Sequence, residues 1–270
     1  ASASAFWRVT LAFPVFLTLL LIRWRHLPHP MQREQAPAGL FDRRHLWLLV
    51  PGIVFGGDMA TWHISFLYTT AANATLLANL QAVIVGFIGW WFLREKLSPV
   101  FALGAALAIA GVAGLLLAGS EPNAAGRNPL IGDSLAIITA GFYAAYILSI
   151  KHLRNRYPVL EIMTAACAGS AVVLIIVALV NGEQLTSSTA AGWWALIGLA
   201  LVPHCIGQGL IAWSLAKLPA SFSSVTLLLQ PLAVAVWGWV ILGEAMSAAQ
   251  MLAGLIVLVG IYLARRGSMH

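Results

Sequence analysis

"LQAVIVGFIGWWFLREKLSPVFALGAALAIAG" occupies Leu80–Gly111, and "LQPLAVAVWGWVILGEAMSAAQMLAGLIVLVG" occupies Leu229–Gly260. Laid side by side without a gap, Leu80, Gln81, Val85, Gly89, Trp90, Leu93, Glu95, Ser98, Leu103 and Gly111 meet identical residues. Their partners are Leu229, Gln230, Val234, Gly238, Trp239, Leu242, Glu244, Ser247, Leu252 and Gly260. Apolar segments resemble one another through composition alone. A shared Gln, Gly-Trp and Glu in one register is a different matter, and it marks an internal repeat. Each copy holds two apolar stretches joined by a short turn. The first turn carries Arg94 and Lys96, whereas the second, "GEAMS", has no basic residue.

The composition says what surrounds these stretches. Of 270 residues, 60% are hydrophobic and 9% charged, against about 25% charged in a soluble domain. Such a chain cannot cover a surface facing water, so its surface faces lipid. Eleven tryptophans fit that setting, because Trp favours the membrane interface. Cys167 and Cys205 lie inside apolar runs without metal-ligand spacing and read as small core hydrophobes. No cofactor motif is present. The first apolar run leads into a basic loop rather than a small-residue cleavage site, so it is not a signal peptide.

A membrane-crossing helix needs about 20 mostly apolar residues. Nine segments qualify: Phe6–Trp24, Leu46–Thr69, Ala71–Leu93, Ser98–Ala118, Pro129–Ile150, Pro158–Val180, Ala191–Leu215, Pro219–Leu242 and Ser247–Ala264. They show no period-2 alternation, which predicts an all-α polytopic membrane protein. Two connections are long, Arg25–His45 and Gly119–Pro129, and the second divides the chain into residues 1–118 and 129–270. The basic residues collect in alternate loops: Arg23, Arg25, Arg33, Arg43 and Arg44; Arg94 and Lys96; Lys151, Arg154 and Arg156; Lys217; Arg265 and Arg266; the other loops hold only Arg127, and Arg8 sits near the start of the first span. That alternation predicts a cytoplasmic C-terminus; the membrane expected is a bacterial inner membrane. It also accounts for the net charge of +6 through topology, which argues against nucleic acid as a partner.

The charged turn of the first copy is then inside and the uncharged turn of the second outside. Two copies of opposite topology predict an inverted-repeat helix bundle, the plan of secondary transporters with a site near the midplane. Nine spans with an internal C-terminus put residue 1 outside, so a further helix is expected ahead of the first.

The pattern Pro231, Gly238, Gly243, Glu244, Ser247, Gly254 and Gly260 resembles the second EamA domain of the drug/metabolite transporter superfamily. The first copy matches at Glu95, Ser98, Gly104 and Gly111, but has Ala82 where the family often has proline. "GDSLAIITAGFYAAYILSIKHL" from Gly132 is similar to the helix that opens a family repeat. The resemblance implies ten helices in two sets of five, of which this sequence supplies four plus five. It implies alternating access and export of small metabolites, with amino-acid exporters of the YddG type among the relatives.

Polar residues inside membrane helices are functional candidates by default. Asp58, Gln81, His204 and Gln230 sit near the middle of their spans. At 100° per residue, Asp58, Thr61, Trp62 and Ser65 share a stripe, and His63 points away from Asp58. His204 and Gln208 share a face, as do Thr139, Tyr143 and Tyr146. The candidate substrate-binding set is therefore Asp58, Trp62, His63, Gln81, Tyr143, Tyr146, His204, Gln208 and Gln230. The same glutamines could merely bond helices together. Glu95 and Glu244 read as caps or turn residues, and Asp133 as a carboxylate at a positive helix end. Pro51, Pro203 and Pro231 predict kinks at the level of the polar groups. Asp58 is expected to face a hydrated cavity.

A small-molecule carrier is the leading function, an amino acid or similar metabolite its cargo and the bilayer its setting. A passive channel-like facilitator and an intramembrane enzyme are the alternatives. No HExxH, GxSxG or Walker A motif supports catalysis.

Overall fold

The computed structural model describes residues 2–26, 43–118, 128–186, 189–242 and 247–268. Among them there is no strand, and the helices follow the nine expected segments. They are α1 (Ser2–Arg25), α2 (Arg43–Ser65), α3 in two pieces, α3a (Ala71–Ala78) and α3b (Gln81–Trp91), α4 (Pro99–Ala118), α5 (Pro129–Leu153) and α6 (Val159–Val180). Then come α7 (Ala190–Ser214), with a π-helical middle over Ala200–Gln208, α8, and α9 (Ala248–Ser268). Helix α8 is broken into α8a (Ala220–Thr226) and α8b (Leu229–Trp237), the latter continuing as a π turn over Gly238–Leu242.

Eight of these are long and apolar enough to cross a membrane. Helix α2 is the ninth. At 23 residues and about 1.5 Å per residue it spans a bilayer core, but Asp58, His63 and its basic start dilute its hydropathy. Helices suit this setting because lipid offers no partner for backbone N–H and C=O groups. The ends are closed by local chemistry. Thr70 and Thr189 accept from the N–H groups of Asn73 and Gly192. Gly182, at φ 63°, ends α6 in a left-handed cap, with Glu183 N–H bonding the Ala178 carbonyl at 2.9 Å.

The chain forms two compact units, residues 1–60 with 145–217, and residues 61–144 with 218–270. In the first, α1 packs along α6 and on the π segment of α7. Gly52 of α2 faces the Ala166 backbone of α6, and the Ser170 hydroxyl donates to the Gly52 carbonyl at 2.8 Å. Small residues and an interhelical hydrogen bond let the two backbones approach, as in lipid they must if packing is to hold helices together.

The second unit displays the repeat as geometry. Helix α3a begins at Ala71 and α8a at Ala220; α4 begins at Pro99 and α9 at Ala248. Both pairs differ by 149, the offset between Leu80 and Leu229. Helices α4 and α9 pack at glycines. A Cβ on Gly111 would lie 2.9 Å from the Ala253 carbonyl and 2.7 Å from Val257 N. A Cβ on Gly260 would lie 2.7 Å from the Gly104 carbonyl and against Ala108 N. These are the same contacts with the copies exchanged: Gly111 is equivalent to Gly260, Ala253 to Gly104, and Val257 to Ala108. A contact that recurs with partners swapped is the mark of two-fold symmetry. Gly104 meets Gly260 while Gly111 meets Ala253, so the helices are antiparallel. A two-fold that exchanges antiparallel helices lies perpendicular to both, hence in the plane of the membrane they cross. The repeat is inverted.

Three sequence expectations change. The third and eighth spans are not continuous: α3 breaks at Asn79–Leu80 and α8 at Leu227–Leu228. Proline is not the common cause, since α3 has none there. Both breaks are made by tight three-residue turns, Leu80 N–H to Leu77 O and Leu228 N–H to Val225 O. Asp133 does not cap α5. It sits in the second turn, where its carboxylate accepts the Thr69 hydroxyl at 2.7 Å.

Candidate functional site

The first unit gathers Asp58, Tyr146, His204 and Gln208. Pro203 supplies no N–H to the helix ladder, and α7 is π-helical over Ala200–Gln208. Such wider turns are frequent at functional sites. This one buries His204 and Gln208 together. From α5, the Tyr146 hydroxyl donates to Gln208 Oε1 at 3.1 Å. From α6, Cys167 Sγ lies 3.4 Å from His204 Nε2. From α2, the Phe55 ring stands 5.5 Å from the His204 ring and 4.8 Å from that of Tyr146. Phe16 of α1 flanks the imidazole at 6.4 Å. His204 Nδ1 is buried and has no hydrogen-bond partner among the described residues.

Asp58 follows Phe55 by one turn of α2 and is 2% exposed. The expected open, hydrated surroundings are not what this conformer shows. Asp58 is enclosed, with Phe55 and Met59 buried beside it on α2. Arg8 of α1 reaches the same place. Its Nη1 lies 3.9 Å from the Sδ of Met59, the residue that follows Asp58. From the sequence, Arg8 is only a cation near the start of the first span, Cys167 is a core hydrophobe, and Phe16 and Phe55 have no role. The available signal for Arg8 was a cation set inside an apolar run; an ordinary Phe gives none.

The second unit holds the remaining candidates. Trp62 and His63 lie half-buried, with ring centroids 5.6 Å apart, and Phe66 packs on Trp62 at 4.8 Å. Thr61 and Thr139 share a hydrogen bond of 2.7 Å, which ties α2 to α5 beside Tyr143. Gln81 is buried, and its Nε2 donates to the Ser224 carbonyl of α8a at 3.3 Å. Gln230 is exposed. Glu95 is a cap, but of another helix: its carboxylate accepts the N–H groups of Ala220 and Ser221, at 2.7 and 3.1 Å, and the Ser221 hydroxyl. Glu244 lies outside the described residues.

The first cluster combines a carboxylate, a guanidinium, an imidazole, an amide and a phenol within aromatic walls. That inventory can meet both charges of a small zwitterion and its apolar side chain.

Comparison with known proteins agrees with the architecture. A "Crystal structure of protein" superposes with a TM-score of 0.81, covering 98% of this chain and 88% of that one at 18% identity, which speaks for the fold alone. An "Uncharacterized transporter" of Archaeoglobus fulgidus is 26% identical over 96% of this chain and 86% of its own length. Another, of Methanothermobacter thermautotrophicus, is 24% identical over 72% of this chain and 57% of its own length. A "Probable terminal-alkyne amino-acid exporter" of Streptantibioticus cattleyicolor is 25% identical over 74% of this chain and 66% of its own length. The profile of the EamA-like transporter family matches residues 2–117 and 130–266. By that match, which takes in both copies of the repeat, this integral membrane protein belongs to the EamA-like transporter family.

Proposed function

We propose that the protein exports amino acids or closely similar zwitterionic metabolites across the bacterial inner membrane by alternating access. The observation that carries this reading is the enclosed cluster around His204. Its buried Nδ1 has no partner among the described residues, Tyr146 and Gln208 are bonded to each other in the same cluster, and Asp58, one turn beyond Phe55, and Arg8, against Met59, add groups that match an ammonium and a carboxylate. Aromatic rings at Phe16, Phe55 and Tyr146 suit an apolar or aromatic side chain. The name of the Streptantibioticus relative points the same way.

Orientation follows from charge. Arg23 and Arg25 end α1, Lys151 ends α5, and Arg265 and Arg266 end α9. Cytoplasmic loops collect such residues, so these helix ends and the C-terminus face the cytoplasm. The substrate-binding assignment covers Asp58, Tyr146, His204 and Gln208 in the first unit, and Trp62, His63 and Tyr143 in the second.

Counterflow in proteoliposomes tests the function. Vesicles loaded with unlabelled L-phenylalanine, L-leucine or L-alanine should accumulate the labelled amino acid saturably, above protein-free vesicles and above the His204→Phe variant. Uptake by none of them would remove the amino-acid reading. Unsaturable equilibration would replace the carrier with a passive facilitator.

A further inference from the structure

We infer that Gln81 and Gln230 are the two halves of an exchanging latch, each holding shut one of two alternative clefts between helices α3 and α8. This inference rests on the alternating-access reading above and deepens it, by naming residues that set which side is closed.

The offset of 149 pairs residues across the two copies. Gln81 is equivalent to Gln230, and Ser224 to Thr75. In this conformer Gln81 is buried and donates to the Ser224 carbonyl, while Gln230 is exposed and its amide makes no hydrogen bond among the described residues. The packing has the same asymmetry. Helix α3b packs along α8a, and a Cβ on Gly89 would lie 3.6 Å from Ser221 Cβ. No comparable packing joins the equivalent pair, α3a and α8b. One cleft is shut and its symmetry mate is open.

The packing of α4, α9, α3a and α8a is close to symmetric. Helix α4 meets α9 through reciprocal glycine contacts, and α3a lies on α4 as α8a lies on α9. So within these four helices the asymmetry lies between α3 and α8, the two broken at equivalent positions. In an inverted repeat, a conformer in which the copies exchange their shapes has the same internal contacts with partners swapped. In that conformer α3a packs on α8b, and Gln230 donates to the Thr75 carbonyl. That carbonyl now accepts the Asn79 side-chain amide at 2.9 Å, a bond the exchange displaces. The shut cleft ends at the turn that carries Arg94, Glu95 and Lys96, where Glu95 caps α8a, hence at the cytoplasmic mouth. The conformer described is open on the external side of this unit.

Spin labels at Asn73→Cys and Val236→Cys, with both native cysteines replaced by serine, report the open cleft in lipid nanodiscs without added substrate. Gln81→Ala should raise the short-distance population about three- to tenfold, the worth of one hydrogen bond. Adding Gln230→Ala should return the ratio towards that of the starting protein. Gln230→Ala alone should leave the distances unchanged yet slow counterflow by a similar factor, although its side chain bonds nothing in this conformer. Unchanged distances in Gln81→Ala would overturn the latch, and so would a double variant identical to the single one. If Gln81→Ala does not fold, Gln81→Leu, which fills the same space, carries the same expectation. The distances are read without substrate. Failure of amino-acid counterflow therefore removes the proposed function, whereas failure of the distance shift removes the latch.

Discussion

Phe55 and His204 occupy equivalent positions of the two copies, 149 residues apart, and their rings face each other at 5.5 Å. A residue that touches its own symmetry mate lies close to the local two-fold that relates α2 to α7 within the first unit. Helix α2 ends at Ser65 and α7 at Ser214, so the offset holds here too. One copy puts a benzyl ring at the axis and the other an imidazole. A site for an asymmetric molecule has been made on a symmetric frame by changing one ring.

That relationship predicts how the site tolerates substitution. In His204→Phe, the same residue would occupy both equivalent positions, so the space should accept it. The apparent melting temperature in detergent should hold or rise, because a buried imidazole nitrogen without a partner is removed. Counterflow should fall at least tenfold. A variant that transports normally would take His204 out of the mechanism.

The two-fold itself can be tested through stability. Gly111→Val and Gly260→Val should destabilise to a similar extent, each by about 1–3 kcal/mol, the usual cost of forcing added methyl groups into a packed site. Their extra atoms meet equivalent backbone on the opposite helix, so the shifts in melting temperature should agree. Gly141→Val, where an added Cβ meets nothing within 4 Å, is the control and should stay near the starting protein. Unequal shifts at 111 and 260 would count against the reciprocal packing.

Much of this fold was legible because it rests on local facts. Long apolar runs, alternate basic loops and the Gln, Gly-Trp and Glu register each sit within a short window. The breaks at Asn79–Leu80 and Leu227–Leu228 were not legible, because no proline or glycine marks the first and the second lies ahead of Pro231. Helical periodicity placed Asp58, His204 and Gln208 on polar stripes but could not say which stripes meet. Phe55 and Tyr146 are 91 residues apart, and nothing in either segment names the other. Arg8 was ambiguous for a physical reason. A cation near a helix end serves topology or a buried counter-charge equally well, and only its contact with Met59, the neighbour of Asp58, points to the second.

Orientation has a direct check. Single cysteines introduced at Glu183 and Arg154, with Cys167 and Cys205 replaced by serine, should label differently in intact cells. A membrane-impermeant maleimide should react at 183 and reach 154 only after permeabilisation. The reverse pattern would invert the assignment of the shut cleft and of the C-terminus.

Asp58 and Arg8 provide the final prediction. A buried charge without compensation is costly, and Arg8 Nη1 lies 3.9 Å from the Sδ of Met59, next along the chain from Asp58. Asp58→Asn keeps the shape and leaves the Arg8 charge without that carboxylate. Arg8→Gln does the converse. Each single variant should lower the apparent melting temperature, and the double variant should recover part of the loss, with a coupling of about 0.5–3 kcal/mol. Transport should fall at least tenfold in all three, because the double variant restores neutrality without restoring either charge for a zwitterion. Additive melting shifts would mean that the two groups act independently. Recovery of transport in the double variant would assign the pair to folding and remove both charges from substrate binding.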